Sequence, residues 1–199
     1  MAVSRVLNDI IRSHFLCQST DRAYYSEASV QLKTGFEIYR RLRVEPALEY
    51  KFKGRREYLD ICFGYHRNQY GIELKYKTVE VDDFEYTTQS AQDHAKYDFL
   101  RDIQRLESFC QSGNIDIGYS VFVTNDKLYW TAARKGTKVK EFDLVDGTTI
   151  HGDYEPRWKG RSEKLNIKGT YRINWVSGQR TTIGASFKSC TVRICRQVS

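Results

Sequence analysis

Two carboxylates and an amine stand at a suggestive spacing: Asp60, then Glu73 and Lys75 on either side of Leu74, with twelve residues between the Asp and the Glu. Both groups fall in short runs with alternating apolar residues, EYLDICFGY over 57–65 and QYGIELKYK over 69–77, joined by the polar His66-Arg67-Asn68. This pattern predicts a β-hairpin. Side chains alternate across a strand, so Glu73 and Lys75 share one face and Ile72, Leu74 and Tyr76 the other. Asp60 and Cys62 likewise oppose Leu59, Ile61 and Phe63. A two-residue turn at Arg67-Asn68 pairs Ile61 with Leu74, Phe63 with Ile72 and Leu59 with Tyr76, gathering the apolar set on one side. It also sets Asp60 opposite Lys75 and diagonal to Glu73. Such a group suits phosphodiester hydrolysis, where a hard cation polarises the phosphoryl oxygen and lowers the pKa of the attacking water, and carboxylates are the ligands it takes. The plainer alternative is an exposed strand face with a cross-strand Asp–Lys pair worth under about 1 kcal/mol.

The elements that must position these residues are legible around the hairpin. A helix is expected from Ser4 to about Phe15, with Val6, Ile10, Ile11 and Phe15 at helical spacing. A second is expected from about Ser26 to Leu42, with Val30, Leu32, Phe36, Ile38, Tyr39 and Leu42 as its apolar positions and Pro46 just beyond its end. Gly35 weakens it by about 1 kcal/mol relative to Ala. ALEYKF, 47–52, reads as a strand preceding the hairpin, completing a three-strand meander. A long amphipathic helix follows from about Thr88 to Ser112, ended by Gly113, and then strands at 118–126 and from LYWTA onward. Beyond lies a β-rich stretch in which 165–175 and 186–195 alternate clearly. The fold class is therefore α/β or α+β, a central mixed sheet flanked by helices. Residues 1–131 form the core, with a basic β-rich extension over 132–199 packed on it as one structural unit.

Asp60 followed by Glu73-Leu74-Lys75 on the next strand resembles the D…ExK motif of the PD-(D/E)xK nuclease superfamily, the restriction-endonuclease-like fold. The element order over roughly 26–126 is similar, although Leu59 stands where the family often has Pro. The resemblance implies a magnesium- or manganese-dependent DNA endonuclease. Asp60 and Glu73 would ligate the metal, the Leu74 carbonyl would complete its shell, and Lys75 would position or activate water and stabilise the charged phosphorane. Supporting roles would fall to Glu37, in the helix before the sheet, and to Gln92 and Lys96, which with Gln89 form one stripe of the long helix. Glu57 is a weaker candidate on the opposite strand face. Asp98, Arg101, Asp102 and Arg105 read as surface i, i+3 and i, i+4 pairs. The implied setting is microbial restriction, defence or DNA repair. Superfamily members often cut as homodimers, but no heptad or exposed apolar stripe in the sequence marks an interface.

Composition supports a nucleic-acid partner. The 199 residues carry a formal net charge of +7; residues 1–126 hold 17 Lys+Arg against 19 Asp+Glu, and 127–199 hold 15 against 6. This excess, interleaved with Trp130, Tyr154, Trp158, Tyr171 and Trp175, fits a polyanion-binding surface in which Arg157, Lys159, Arg161, Lys164, Lys168 and Arg172 grip DNA phosphates, with RNA left open. Five scattered Cys and four His form no disulfide framework or zinc spacing. No apolar run is long enough to span a membrane and no signal peptide is evident, so a cytoplasmic protein is expected. GxSxG, GxxxxGK[ST] and GxGxxG motifs are absent. The competing class is a non-catalytic nucleic-acid-binding or protein-interaction module that keeps the nuclease fold and needs neither metal nor Lys75.

Overall fold

Ser26 opens the helix that leads into the sheet: its backbone is extended and its hydroxyl accepts from the Ser29 N–H, satisfying one of the free first-turn donors. The computed structural model describes residues 2–17, 24, 26–79, 92–137, 140–156, 162–178 and 186–196. Within these, α1 spans Ala2–Ile10 and continues as a π-helical segment, Ile11–Phe15; α2 spans Glu27–Leu42 and ends on Arg43 in the left-handed conformation. Strands β1 (Ala47–Tyr50), β2 (Leu59–Tyr65) and β3 (Asn68–Lys77) form the expected meander. Helix α3 (Gln92–Gln111) then leads to β4 (Ile117–Thr124). The remainder supplies β5 (Thr149–Tyr154), β6 (Leu165–Arg172), β7 (Trp175–Ser177) and β8 (Lys188–Cys195).

Six strands make one mixed sheet in the order β1-β2-β3-β4-β8-β7, while β5 and β6 form a separate pair. Only β3 and β4 are parallel, and α3 is their crossover. One face packs on α1 and α2, burying Ile61, Ile72, Leu74, Tyr76, Val121 and Val123; the other packs on α3 and the β5–β6 pair. Glycines permit the close contacts. A Cβ on Gly118 would lie 3.0 Å from Leu106 of α3, and one on Gly35 would lie 3.1 Å from Leu48 of β1. The helix-weakening glycine in α2 is therefore where β1 approaches it.

Four expectations change. The hairpin turns at His66-Arg67, pairing Tyr65 with Asn68, Phe63 with Tyr70 and Ile61 with Ile72. A shift that preserves strand parity keeps Ile61 and Phe63 on the α2 side, so hydrophobic pattern cannot choose between the registers, but Leu59, expected beside them, packs instead with Cys62 on the α3 side, where its Cδ1 would meet a Cβ on Gly71 at 2.7 Å; His66, at φ 54, supplies the left-handed residue of the turn. LYWTA forms no strand: Lys127–Tyr129 is a 3-10 turn whose Leu128 N–H is capped by the Asp126 carboxylate. Leu32, Phe36 and Tyr39 of α2 face outward, because Val30, Thr34, Gly35, Glu37 and Ile38 take the inward side. Finally, β7 and β8 join the main sheet, so no sheet boundary separates 1–131 from 132–199. All five cysteines are free thiols.

Candidate active site

The β2–β3 ladder ends at Ile61–Ile72, and just beyond it Asp60 places a side chain where main-chain pairing would continue. Its Oδ2 accepts the Leu74 N–H at 2.6 Å. Two residues on, the Tyr76 N–H is taken by Glu27 Oε2, from the first turn of α2, at 2.9 Å. Strand β3 thus runs past its neighbour with its amides held by carboxylates. Gln31 of α2 fixes the bend, donating to the Asp60 carbonyl and to Glu49 Oε1.

Glu73 and Lys75 project toward α3 and meet Asp102 and Arg105. Lys75 Nζ lies 2.8 Å from Asp102 Oδ2, Arg105 Nη2 lies 3.0 Å from Glu73 Oε1, and Arg105 Nη1 lies 3.2 Å from Asp102 Oδ1. Arg105 also donates to the Tyr58 carbonyl. Glu73 and Asp102 are 2% and 3% exposed, while Asp60 is half-buried. Proximity does not give full satisfaction: Glu73 Oε1, Asp102 Oδ2 and Arg105 Nε have no aligned hydrogen-bond partner.

The electrostatics follow from four carboxylates, Glu27, Asp60, Glu73 and Asp102, set against two cations, Lys75 and Arg105. Burial pushes the Asp60 carboxyl up to about 6, against the opposing pull of the Leu74 N–H and Lys75, with Asp102 and Glu27 adding repulsion. Burial also raises Glu73, reinforced by Asp102 and Asp60 and opposed by Arg105 and Lys75. Burial acts to lower Lys75, but the surrounding carboxylates, Asp102 foremost, outweigh it and hold the ammonium above its ordinary range. Were all four carboxylates ionised, the cluster would carry two negative charges in excess; the raised Asp60 and Glu73 carboxyls are the response to that excess, and a bound cation would favour their ionised forms. Among the described residues no three His, Cys, Asp or Glu side chains stand in metal-ligating geometry. A metal there would take few protein ligands, a condition that magnesium, which retains water in its shell, meets.

Asp60, Glu73 and Lys75 are thus brought together, with Leu74 between the last two. Of the supporting residues, Glu37 and Lys96 are not. Glu37 is buried among Lys33, Arg40, Arg41 and His14, and it ties α2 to the π-helical segment instead of to the sheet hairpin. Burial opposes its ionisation, but these donors, Arg40 first, hold it far below the usual carboxylate range. Lys96 is buried against Asp143, 3.0 Å away, and so ties α3 to the chain beyond β4. Gln92 begins α3, with its side chain outside the described residues, as is Gln89. Glu57 is exposed.

The sequence reading missed Glu27 and assigned Asp102 and Arg105 to the surface. Their i, i+3 pair exists but faces inward. A signal for Asp102 was present, since Phe99, Ile103 and Leu106 place it within their own apolar stripe at helical spacing. Glu27 carried none beyond its place in a helix first turn.

In the basic region, Arg157, Lys159, Arg161 and Trp158 lie outside the described residues. Lys164, Lys168 and Arg172 are exposed, with Lys164 paired to Glu155 at 2.9 Å. The aromatics expected on this surface pack inward: Trp130, Tyr154, Tyr171 and Trp175 lie against the α3-side core, where Trp175 donates to the Leu144 carbonyl and Tyr171 to Glu107. The same segment flanks α3, with the Lys168 and Gly169 amides held by Glu107 and the Asn166 amide by Gln104.

Comparison of the chain with protein-family models, curated proteins and solved structures finds no match.

Proposed function

We propose that the protein is a metal-dependent nuclease of restriction-endonuclease-like architecture that hydrolyses DNA, with its centre at Asp60, Glu73 and Lys75. The supporting observation is their convergence where β3 outruns β2, with Asp60 replacing the ladder and four carboxylates set against two cations. Asp60, Glu73 and the Leu74 carbonyl are the residues that would hold magnesium or manganese. Such an ion, when bound, would supply Lewis-acid polarisation of a phosphoryl oxygen and a more acidic water.

The chain's own groups do the rest. Lys75 stays protonated, so its ammonium stabilises charge building on the phosphoryl oxygens and orients water instead of abstracting a proton. Asp102 holds that ammonium in place. Water adds to phosphorus, the bond from phosphorus to the bridging oxygen breaks, and that oxygen takes a proton, leaving one phosphate and one hydroxyl end. Exposed Lys164, Lys168 and Arg172, on the segment that flanks α3, bind phosphates to either side.

The test is cleavage of duplex and single-stranded DNA with magnesium or manganese by the wild type and by Asp60→Asn, Glu73→Gln and Lys75→Met. Removing such groups is expected to slow cleavage by about 100-fold or more, with far-UV circular dichroism unchanged. Wild-type rates in all three variants contradict the assignment.

One observation favours a second reading. Lys75 and Arg105 already neutralise Asp102 and Glu73 in a buried network that ties α3 to β3, as a purely structural ion-pair core in a DNA- or protein-binding module would. That reading expects DNA binding without cleavage, and binding indifferent to chelator.

A further inference from the structure

We propose that Ser120 belongs to the carboxylate centre as a positioning residue for Glu73, acting through one buried water bound between β3, β4 and α3. The positioning role rests on the metal site proposed above; the water does not. Ser120 lies directly across the parallel ladder from Glu73. Its neighbours of the same parity fix which way it faces. A Cβ on Gly118 would meet Leu106 of α3, and the ring of Phe122 packs against that of Phe99, with centroids 5.4 Å apart. Between those two contacts α3 carries Asp102. The Ser120 hydroxyl therefore stands on the α3 side of the sheet, beside the buried part of the cluster, and the residue is 1% exposed.

Unmet hydrogen-bonding groups gather at this point. Among the described residues, five buried side-chain atoms have no aligned hydrogen-bond partner, and four of them are Glu73 Oε1, Asp102 Oδ2, Arg105 Nε and Ser120 Oγ. Glu73, Asp102 and Arg105 are already joined by ion pairs through the Arg105 Nη atoms, and Ser120 adjoins Glu73 on a strand about 4.8 Å away. The chemistry of the four atoms selects the occupant. The two carboxylate oxygens accept, the Arg105 Nε–H donates, and the hydroxyl does either. A water, with two hydrogens and two lone pairs, donates to Glu73 and Asp102 and accepts from Arg105 and Ser120, so that all four are matched at once. A metal cation at the same point would face the Arg105 N–H, an anion would face two carboxylates, and an ammonium has nothing with which to accept. A direct bond from Ser120 to Glu73 would match only those two and leave Asp102 Oδ2 and Arg105 Nε as they are. Tethered by the water as well as by Arg105, the Glu73 carboxylate has its orientation fixed, which is what a metal ligand needs from its outer partners.

A crystal structure of the full chain, at a resolution that shows ordered water, tests the site directly. A water within hydrogen-bonding distance of Ser120 Oγ, Glu73 Oε1 and Asp102 Oδ2 is expected; no density there, or Ser120 bonded directly to Glu73, overturns the proposal. The positioning role is read by manganese titration. Ser120→Ala is expected to weaken manganese binding by about 10-fold or more, as loss of an outer partner of a metal ligand does, with circular dichroism unchanged. Ser120→Thr, which keeps the hydroxyl, is expected to restore most of that affinity. A hydroxyl that serves packing alone would shift the melting temperature of Ser120→Ala and leave its manganese affinity at the wild-type value, a result that overturns the positioning role. Should the added methyl of threonine prevent folding, wild type against Ser120→Ala still decides. A wild type that binds no manganese contradicts the metal site and with it the positioning role, while the density continues to decide the water.

Discussion

Asp60 accepts a backbone N–H that an ordinary strand neighbour would satisfy, and it does so from a half-buried position beside three other carboxylates. Its folded pKa, about 6, lies above that of an ordinary carboxylate. Between roughly pH 4 and the folded value, the folded state therefore holds a proton the unfolded chain has released, so stability falls as pH rises through that window and stays low above it. Asp60→Asn keeps the acceptor for Leu74 and removes the charge. It is expected to raise the melting temperature by about 3 °C near pH 8 and to lose most of that advantage near pH 4. Thermal melts at the two pH values check this, and a variant destabilised equally at both would show that the carboxylate is not under repulsion. A structural core selected for stability would gain from replacing that charge; a site built to meet a cation accepts its instability when empty.

At the scale of elements, the site depends on α3 lying close enough to the sheet for Asp102 and Arg105 to reach Lys75 and Glu73. Gly118 of β4 sets that distance, since a Cβ there would meet Leu106 at 3.0 and 3.1 Å. Gly118→Val is expected to destabilise by ~1–3 kcal/mol, as overpacking does, lowering the urea midpoint; an unchanged midpoint would show that α3 has room to move. Much of this frame was legible beforehand. The start of α2 followed from Ser26 and its end from Pro46, because cap chemistry is local. The hairpin register was not, because a parity-preserving shift leaves Ile61, Phe63, Ile72 and Leu74 on their own face, and the His66 backbone sets the turn; Leu59 alone of that expected set crosses to the α3 side, beside Cys62. The turn at Lys127–Tyr129 was hidden for a related reason: apolar Leu128 and Tyr129 suggest a strand, while Asp126 caps a helical turn. Glu37 was placed at the wrong site because the sequence shows that it lies on α2 but not that three neighbouring cations and His14 would claim it.

Across the whole molecule, the acidic cluster of the hairpin lies on the main sheet, and exposed cations of the last third lie on or beside β6 of the separate pair, with α3 between them. Strands β7 and β8 extend the main sheet beyond β4, and the β5–β6 pair lies along α3, so exposed Lys164 and Lys168 flank the helix that carries Asp102 and Arg105. Charge counting found the excess but not its surface, because it could not see that Trp130, Tyr154, Tyr171 and Trp175 complete the core. Among the described residues no helix is long and apolar enough to cross a membrane. The proposed site requires Asp60 and Glu73 to hold a divalent cation beside Lys75. Titration of manganese into the full chain, followed by electron paramagnetic resonance of the free ion, measures that binding. Saturable binding that disappears in Asp60→Asn and Glu73→Gln, and survives in Lys75→Met, is the result expected. Manganese left entirely free, or bound equally by the wild type and both carboxylate variants, would contradict it.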